Sequence, residues 1–485
     1  MSRPERRRES TATSNFGVGR REAHDSSAFY SRFPVPEISE DSEVVRPICV
    51  DRIWVGDSRD MDRYGEIADS SVALVVTSPP YYAGKEYEEA IGEGHIPAGY
   101  IDYLDMLHDV FAECVRKLEP GGRIAVNVAN LGRRPYRSLS ADVIDILQNR
   151  LKLLLRGEII WQKARGAGGS CAWGSFQRPG APVLRDLTER VVIASKGRFD
   201  RARRASARAA ANLPAVGSAT ADEFMEATTD VWEIRAASAT RVGHPAPFPV
   251  ELPQRLIDLY TYRHDLVLDP FVGAGTTAVA AVRTGRHYVG FDADAGYVDL
   301  ARRRIDAELA SNGAHNGSRR WDVSVPPVPN RDHSGIEDLQ VRALREGRSA
   351  SQIARLLIRE AGFGDIKRDV HCCDGIKISF TARGLAGKVW RFDLSGGFTQ
   401  VSQPGLRTNE SLWRAIGKAT VLHLTDPAPL VVLTTGRPAA ETAGHEALEA
   451  VTGRGRPITD VIDLGEPGGI PRLAALAGGQ SRSDE

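Results

Sequence analysis

Residues 266–277 read Leu-Val-Leu-Asp-Pro-Phe-Val-Gly-Ala-Gly-Thr-Thr: a short apolar strand, a turn holding two glycines, and the start of a helix. Such a turn brings main chain close to a ligand, because Gly273 and Gly275 tolerate positive φ and carry no side chain, while the helix that follows presents unpaired N–H groups. Strands of the same buried character recur along the chain. Ile53 to Asp57, Val72 to Thr77 and Ile124 to Val128 are short apolar runs, and Tyr288 to Asp292 repeats the pattern after Leu266 to Leu268. Between them, Tyr100 to Leu118 spaces Leu104, Leu107, Phe111 and Val115 as one helical face and stops at Pro120-Gly121-Gly122; Pro253 to Tyr262 and Gly275 to Thr284 also read as helices. Alternating buried strands and amphipathic helices predict an α/β fold on a doubly wound, mostly parallel sheet.

That pattern does not fill the 485 residues, so a second domain is expected. Residues 1–45 are polar, without periodicity, and read as a mobile arm. The sheet domain spans 46–311, broken at about 196–242 by an Arg- and Ala-rich stretch read as an insertion. A Gly-, Asn- and Pro-rich linker at 312–329 leads to a smaller C-terminal α+β domain, 330–485. Hydrophobic residues are 42% and charged residues 26% of the chain, a globular profile, and no apolar run is long enough to span a bilayer; a cytoplasmic location without membrane contact is expected. Cys49, Cys114, Cys171, Cys372 and Cys373 show no paired CxxC spacing, which argues against zinc and a disulfide framework. With 63 basic and 63 acidic residues the net charge is zero, so any charge for binding nucleic acid has to be local. Arg6, Arg7 and Arg8, and Arg198, Arg201, Arg203, Arg204 and Arg208, are the candidates; a solvated segment is the alternative for each.

Two strand ends carry chemistry. Asp292 closes the strand that follows the glycine turn, where a carboxylate can accept both ribose hydroxyls of a nucleoside cofactor. The second is Val75-Val76-Thr77-Ser78-Pro79-Pro80-Tyr81-Tyr82. Consecutive prolines fix φ and remove main-chain donors, which leaves the adjacent carbonyls rigidly aimed. An exocyclic amine is the matching partner, donating one N–H to the Ser78 hydroxyl and one to the Pro79 carbonyl. Tyr81 supplies a flat face for a base drawn out of a duplex.

Taken together, TSPPYY and DPFVGAGTT make residues from about Ile48 to Ile305 resemble the permuted (beta-type) amino-methyltransferases of DNA, in which the catalytic motif precedes the cofactor motif. The resemblance implies a Rossmann-like methyltransferase fold and S-adenosylmethionine as cofactor. It places Asp57, Asp269, Pro270, Phe271, Gly273, Gly275, Thr276, Thr277 and Asp292 around the cofactor, and Ser78, Pro79, Pro80 and Tyr81 at the reacting amine. His244 to Pro249 looks like the segment covering the methionine end. Glu158 to Lys163 and Leu184 to Arg190 look like later motif segments, and the stretch at 196–242 stands in the place of the target-recognition region. Arg201, Arg203, Arg204 and Arg208 would there contact double-stranded DNA. Members directed at adenine N6 usually carry Asp or Asn before Pro-Pro-Tyr and members directed at cytosine N4 usually carry Ser; Ser78 favours N4-cytosine, with N6-adenine the alternative. A C5-cytosine mechanism would need a nucleophilic cysteine, and Cys49, Cys114 and Cys171 stand in no such setting.

Beyond the linker the order is helix (Gly335 to Arg345), helix (Ser349 to Ala361), strand (Ile376 to Ala382), strand (Lys388 to Leu394), helix (Glu410 to Thr420) and strand (Leu430 to Thr434), loosely similar to a restriction-endonuclease-like core. Asp393 stands at that core's acidic position, but Ser395 replaces the expected Lys, against nuclease activity; Glu360, Asp369, Asp374 and Asp393 read as solvated. Three functions stay open: a DNA methyltransferase of a restriction-modification or defence system with a cognate restriction endonuclease, a non-catalytic DNA-binding subunit, and an enzyme acting on RNA or protein amide nitrogen.

Overall fold

The computed structural model describes residues 38–64, 67–80, 99–131, 136–164, 180, 184, 187–237, 248–314, 349–373, 375–398, 405–426, 428–466 and 468–478, the side chains of 311–314 and 373 excepted. Its first unit contains β1 (Arg52–Val55), β2 (Val72–Thr77), α1 (Tyr100–Lys117), β3 (Leu118–Val128), α2 (Leu139–Ile144), β4 (Leu154–Gln162), β5 (Thr188–Ser195), α3 (Ala205–Ala210), α4 (Ala221–Ala227), β6 (Val231–Glu233), α5 (Glu251–Tyr260), β7 (Leu266–Asp269), α6 (Thr276–Thr284), β8 (His287–Asp292) and α7 (Ala295–Ala314). One eight-stranded sheet orders them β1-β8-β7-β2-β3-β5-β4-β6. Every neighbouring pair is parallel except those made by β5, which runs against β3 and β4. This is the expected α/β class.

Residues of β2 are buried throughout because both sheet faces are covered. Val72 and Val75 meet Leu107, Phe111 and Leu147 on one face. Leu74 and Val76 meet Leu256 of α5, Ala281 of α6 and Val298 of α7 on the other. The first part of β3 depends on glycine: Gly121 has φ +76°, and a Cβ there would lie 1.9 Å from the Asp200 carbonyl oxygen.

Two expectations change. Within 196–242, the described residues up to 237 are not a separate insertion but part of the body: β6 extends the sheet in parallel with β4, Trp161 opposite Trp232, and both indoles are buried. The Trp161 indole N–H donates to the Ile234 carbonyl at 2.7 Å. Residues 38–45, at the end of the expected mobile arm, run along this body, with the Ser39 N–H donating to Gly197 and the Val45 N–H to Ser70. Composition suggested mobility because these residues are polar; main-chain hydrogen bonds, which composition does not show, hold them.

The second unit contains α8 (Ala350–Glu360), β9 (Gly364–Cys373), β10 (Ile376–Arg383), β11 (Val389–Ser395), α9 (Asn409–Thr425), β12 (Leu430–Thr434), α10 (Ala443–Ala450), β13 (Asp460–Asp463) and α11 (Gly469–Ala477). Its five strands order β13-β12-β11-β10-β9, antiparallel from β9 to β11 and parallel from β11 to β13. The helix expected at Gly335 to Arg345 and most of the linker lie outside the described residues, as does Asp374, while α7 runs past the expected boundary at 311 to Ala314. The two units touch at α4, where the Asp222 carboxylate accepts the N–H groups of Ala350 and Phe398 at 2.8 and 2.9 Å. In β11 the expected acidic position, Asp393, is buried rather than solvated as expected and pairs with Lys418 of α9 at 2.7 Å, a cation supplied from another element than the one the motif would use.

Candidate active site

Asp57, Asp292, Asp269, Ser78 and Asn127 all lie at or just beyond the C-terminal ends of neighbouring strands, β1, β8, β7, β2 and β3. Open parallel sheets bind ligands along this edge, because there the loops leave the sheet and the following helices begin. The strand order therefore assembles residues that lie as far apart in sequence as Asp57 and Asp292.

The glycine turn is tied to both of its neighbours. The Val272 N–H donates to the Phe291 carbonyl of β8 at 2.8 Å. Asp292 Oδ2 accepts the Gly273 N–H at 2.8 Å and Oδ1 accepts the Asp294 N–H at 3.0 Å, so this carboxylate braces the turn that it faces. Gly275 caps α6 with φ +77°, and a Cβ there would come within 2.7 Å of the Ala301 Cβ, so both its conformation and its space require glycine. The opening residues of α6, Thr276 and Thr277, are buried, and the Thr277 hydroxyl donates to the Val76 carbonyl of β2 at 3.3 Å. Pro270 is buried beneath the turn and Phe271 is half-buried, packed against the core on the α1 side. Asp57 is exposed two residues beyond β1 and holds Arg59 at 2.6 Å.

Asp269 joins the two motifs. The Thr77 hydroxyl, 192 positions away in sequence, donates to its Oδ1 at 2.7 Å, and the Phe271 N–H donates to the same oxygen at 3.1 Å. Asp269 Oδ2 is buried without a hydrogen-bond partner among the described residues. Burial pushes the Asp269 carboxyl up to about 6, although the Thr77 and Thr277 hydroxyls and the Phe271 N–H act to lower it. A buried acceptor of this kind suits a cationic or N–H-bearing ligand group beside the turn.

The sign of that shift gives a test. An acid whose folded pKa is raised stabilises the fold below its unfolded pKa, 3.8, and that contribution is lost as pH rises through about 6. Asp269→Asn keeps an acceptor for Thr77 and removes the titration. In urea denaturation of the ligand-free protein, the variant is expected to match the parent near pH 4 and to exceed it on the order of 1–3 kcal/mol above pH 7. A difference that does not vary with pH would show that Asp269 is not protonated in this window.

Ser78 is half-buried, Pro79 is buried, and the Ser78 hydroxyl donates to the Asn127 carbonyl at 3.1 Å. The Tyr103 hydroxyl of α1 donates to the Pro80 carbonyl at 2.8 Å, which fixes the second proline from below. Tyr81 and His244 to Pro247 lie outside the described residues. Tyr103 and Asn127 were missed by sequence reasoning. Tyr103 is a wholly buried residue of an amphipathic helix, indistinguishable from core in the pattern, and Asn127 sits in a run read as plain strand. Among the described residues no group of three or more His, Cys, Asp or Glu could hold a metal.

The four arginines expected at DNA divide. Arg208 is buried and Arg201 nearly so against Glu119 and Asp265, the side chains being 1% and 10% exposed and those of the two carboxylate partners 2% and 3%. Burial alone would depress the Arg201 pKa; the two carboxylates overcome it, and the net shift is upward. Neither guanidinium is available to a phosphate, and Glu119 and Asp265 stand at the opposite end of the sheet from Ser78. Arg203 is half-buried, donating to the Ser42 carbonyl at 3.2 Å, and Arg204 is exposed.

Comparison with known proteins bears on this edge directly. The family model for DNA methylases of the N6/N4 class matches residues 72–303, from β2 into α7. Type II methyltransferase M.MthZI of Methanothermobacter thermautotrophicus is 28% identical over 281 residues, 53% of this chain and 77% of the relative. Type II methyltransferase M.MjaI of Methanocaldococcus jannaschii is 28% identical over 291 residues, 52% of this chain and 90% of the relative. A DNA modification methylase of Thermus thermophilus, TTHA0409, solved in complex with S-adenosyl-L-methionine, is 30% identical and aligns with 54% of this chain and 95% of its own, at a TM-score of 0.41. With both motifs inside the matched span and on adjacent strands, the chain belongs to the N6/N4 DNA methylase family and is a DNA methyltransferase.

Proposed function

We propose that the chain transfers a methyl group from S-adenosylmethionine to the exocyclic N4 of cytosine in double-stranded DNA. The observation that carries it is the Thr77–Asp269 contact, which sets the Ser78-Pro79-Pro80 turn directly beside the glycine turn. The buried Asp269 Oδ2 fits a cofactor that carries a positive charge and an ammonium group, and Asp292 and Asp57 at the ends of adjacent strands fit its nucleoside end. When bound, the cofactor supplies an electrophilic methyl on sulfonium. The protein's part is to orient and to exclude water. The Ser78 hydroxyl oxygen and the Pro79 carbonyl hold the amine by its two N–H groups, directing the nitrogen lone pair at the methyl, and the two prolines, the first buried and the second held by Tyr103, keep these acceptors from rearranging as charge moves. Tyr81 would stack the extruded base.

Ser78 favours cytosine over adenine, since members directed at adenine usually carry Asp or Asn at that position. Several relatives are named Type II methyltransferases, which supports the reading that the chain serves a restriction-modification system; a cognate endonuclease and a cytoplasmic location are part of that reading. The test is mass spectrometry of nucleosides from varied duplex DNA incubated with protein and cofactor. N4-methylcytosine is expected. N6-methyladenine alone would overturn the reading of Ser78, and neither product would overturn the proposal on DNA.

A further inference from the structure

Beside Ser78 runs a chain of polar contacts that neither the glycine turn nor the proline turn contains. The Asn127 side-chain amide donates to Glu189 Oε2 at 2.7 Å, and the Lys163 ammonium donates to Glu189 Oε1 at 3.1 Å. The Glu189 and Lys163 side chains are 11% and 24% exposed, and the Asn127 residue is 2% exposed. Burying a carboxylate to this degree is unfavourable unless it is paired and hydrogen-bonded, and both conditions are met, by Asn127 of β3 and by Lys163 just after β4.

The position of Asn127 explains what this arrangement holds. Thr77 is the last β2 residue paired with β3, opposite Val126; Asn127 is one step beyond. Its carbonyl, past the last rung, is where the Ser78 hydroxyl donates its proton. On its other side Asn127 pairs with Val191, two residues beyond Glu189 in the same strand. Glu189 therefore grips the side chain of the residue whose carbonyl directs the Ser78 hydroxyl. Committing the hydroxyl proton to a main-chain carbonyl presents oxygen lone pairs toward an approaching amine, the polarity that an N–H donor needs.

We infer that Glu189 is a positioning residue for methyl transfer: with Lys163 balancing its charge, it fixes Asn127 so that the Asn127 carbonyl holds the Ser78 hydroxyl as an acceptor for the target amine. This rests on the proposed role of Ser78. In this role Glu189 acts through Asn127 and Ser78, so its removal acts on the rate of the methyl-transfer step.

A double-mutant cycle on the full chain tests it, with single-turnover methylation of duplex DNA as the readout and cofactor affinity and thermal midpoint measured alongside. Glu189→Ala is expected to slow the single-turnover rate about tenfold, the scale of one charge-assisted hydrogen bond, with cofactor affinity unchanged. Glu189→Gln, which keeps an acceptor for Asn127, is expected to recover the rate to within about threefold. In the Ser78→Ala background Glu189→Ala is expected to add nothing, because the group it positions is gone. Additive losses, or a parallel fall in cofactor affinity and thermal midpoint, would make Glu189 merely structural and overturn the inference. An unchanged rate in Glu189→Ala beside a slow Ser78→Ala overturns it while leaving the role of Ser78 standing. If Ser78→Ala itself is as fast as the parent, that role falls first and the inference with it.

Discussion

Ser78→Ala is expected to slow methyl transfer by roughly a hundredfold or more, the effect of removing one preorganised hydrogen-bonding group from a reacting centre. The size follows from how little of the turn can move to compensate. Pro79 is buried, the Pro80 carbonyl is held by Tyr103, and Thr77 is bonded to Asp269 on the neighbouring strand, so among the described residues of the turn no other side chain is placed to replace the lost oxygen. For the same reason the damage is local. Asp292 and the glycine turn make their contacts with one another and with β8, not with Ser78, and cofactor affinity by calorimetry is expected to be unchanged. A variant that retains single-turnover activity within about threefold would remove the Ser78 hydroxyl from the chemistry, since so small a loss is less than one good hydrogen bond contributes. Loss of cofactor affinity together with rate would show instead that the two turns cannot be perturbed separately.

How much of this arrangement was legible in the sequence depends on the range of the interactions. Strands β2, β7 and β8 and helices α1, α5 and α6 announced themselves because their patterns are local: an apolar run for a strand buried on both faces, a helical spacing for a half-buried helix. Strand β9, Gly364–Cys373, escaped because it lies at the sheet edge and carries Lys367, Arg368, Asp369 and His371 on a surface that does not demand apolar residues. The two turns of the site were legible as motifs, since proline and glycine report main-chain conformation directly. Their joining by Thr77 and Asp269 was not, nor was the chain from Asn127 to Glu189 and Lys163, because strand order and not sequence spacing brings those side chains together. Arg201 and Arg208 were misread for a related reason. A run of charge at 198–208 looks the same whether its guanidinium groups meet solvent, phosphate or carboxylates folded in from residues 119 and 265.

Arg208→Ala is accordingly expected to damage the fold and leave DNA contacts alone. Arg208 donates to Glu119 Oε1 at 3.1 Å, to Asp265 Oδ1 at 2.8 Å and to the Pro214 carbonyl at 2.6 Å, and its guanidinium lies over the Tyr262 ring, 5.2 Å from the centroid. Arg201 donates to the same two carboxylates and also faces Tyr262. Two cations and two anions thus close a buried network beneath β3 and β7, and the pairing is what makes burial of the carboxylates tolerable. Removing Arg208 leaves Glu119 and Asp265 sharing a single guanidinium. Breaking a buried pair by deleting one partner typically costs about 3–5 kcal/mol, because the remaining charge is stranded and not merely because an attraction is lost. Urea denaturation at pH 7 is expected to show a loss of that order, whereas Arg204→Ala, at an exposed position, should stay within about 0.5 kcal/mol of the parent. The salt dependence of DNA affinity gives the complementary measurement. Each phosphate contact adds about one to the slope of log affinity against log salt, so a buried arginine should leave the slope unchanged once the variant is folded. A slope lower by one with stability intact would restore Arg208 to the DNA surface, and would require this end of the sheet to open when DNA binds.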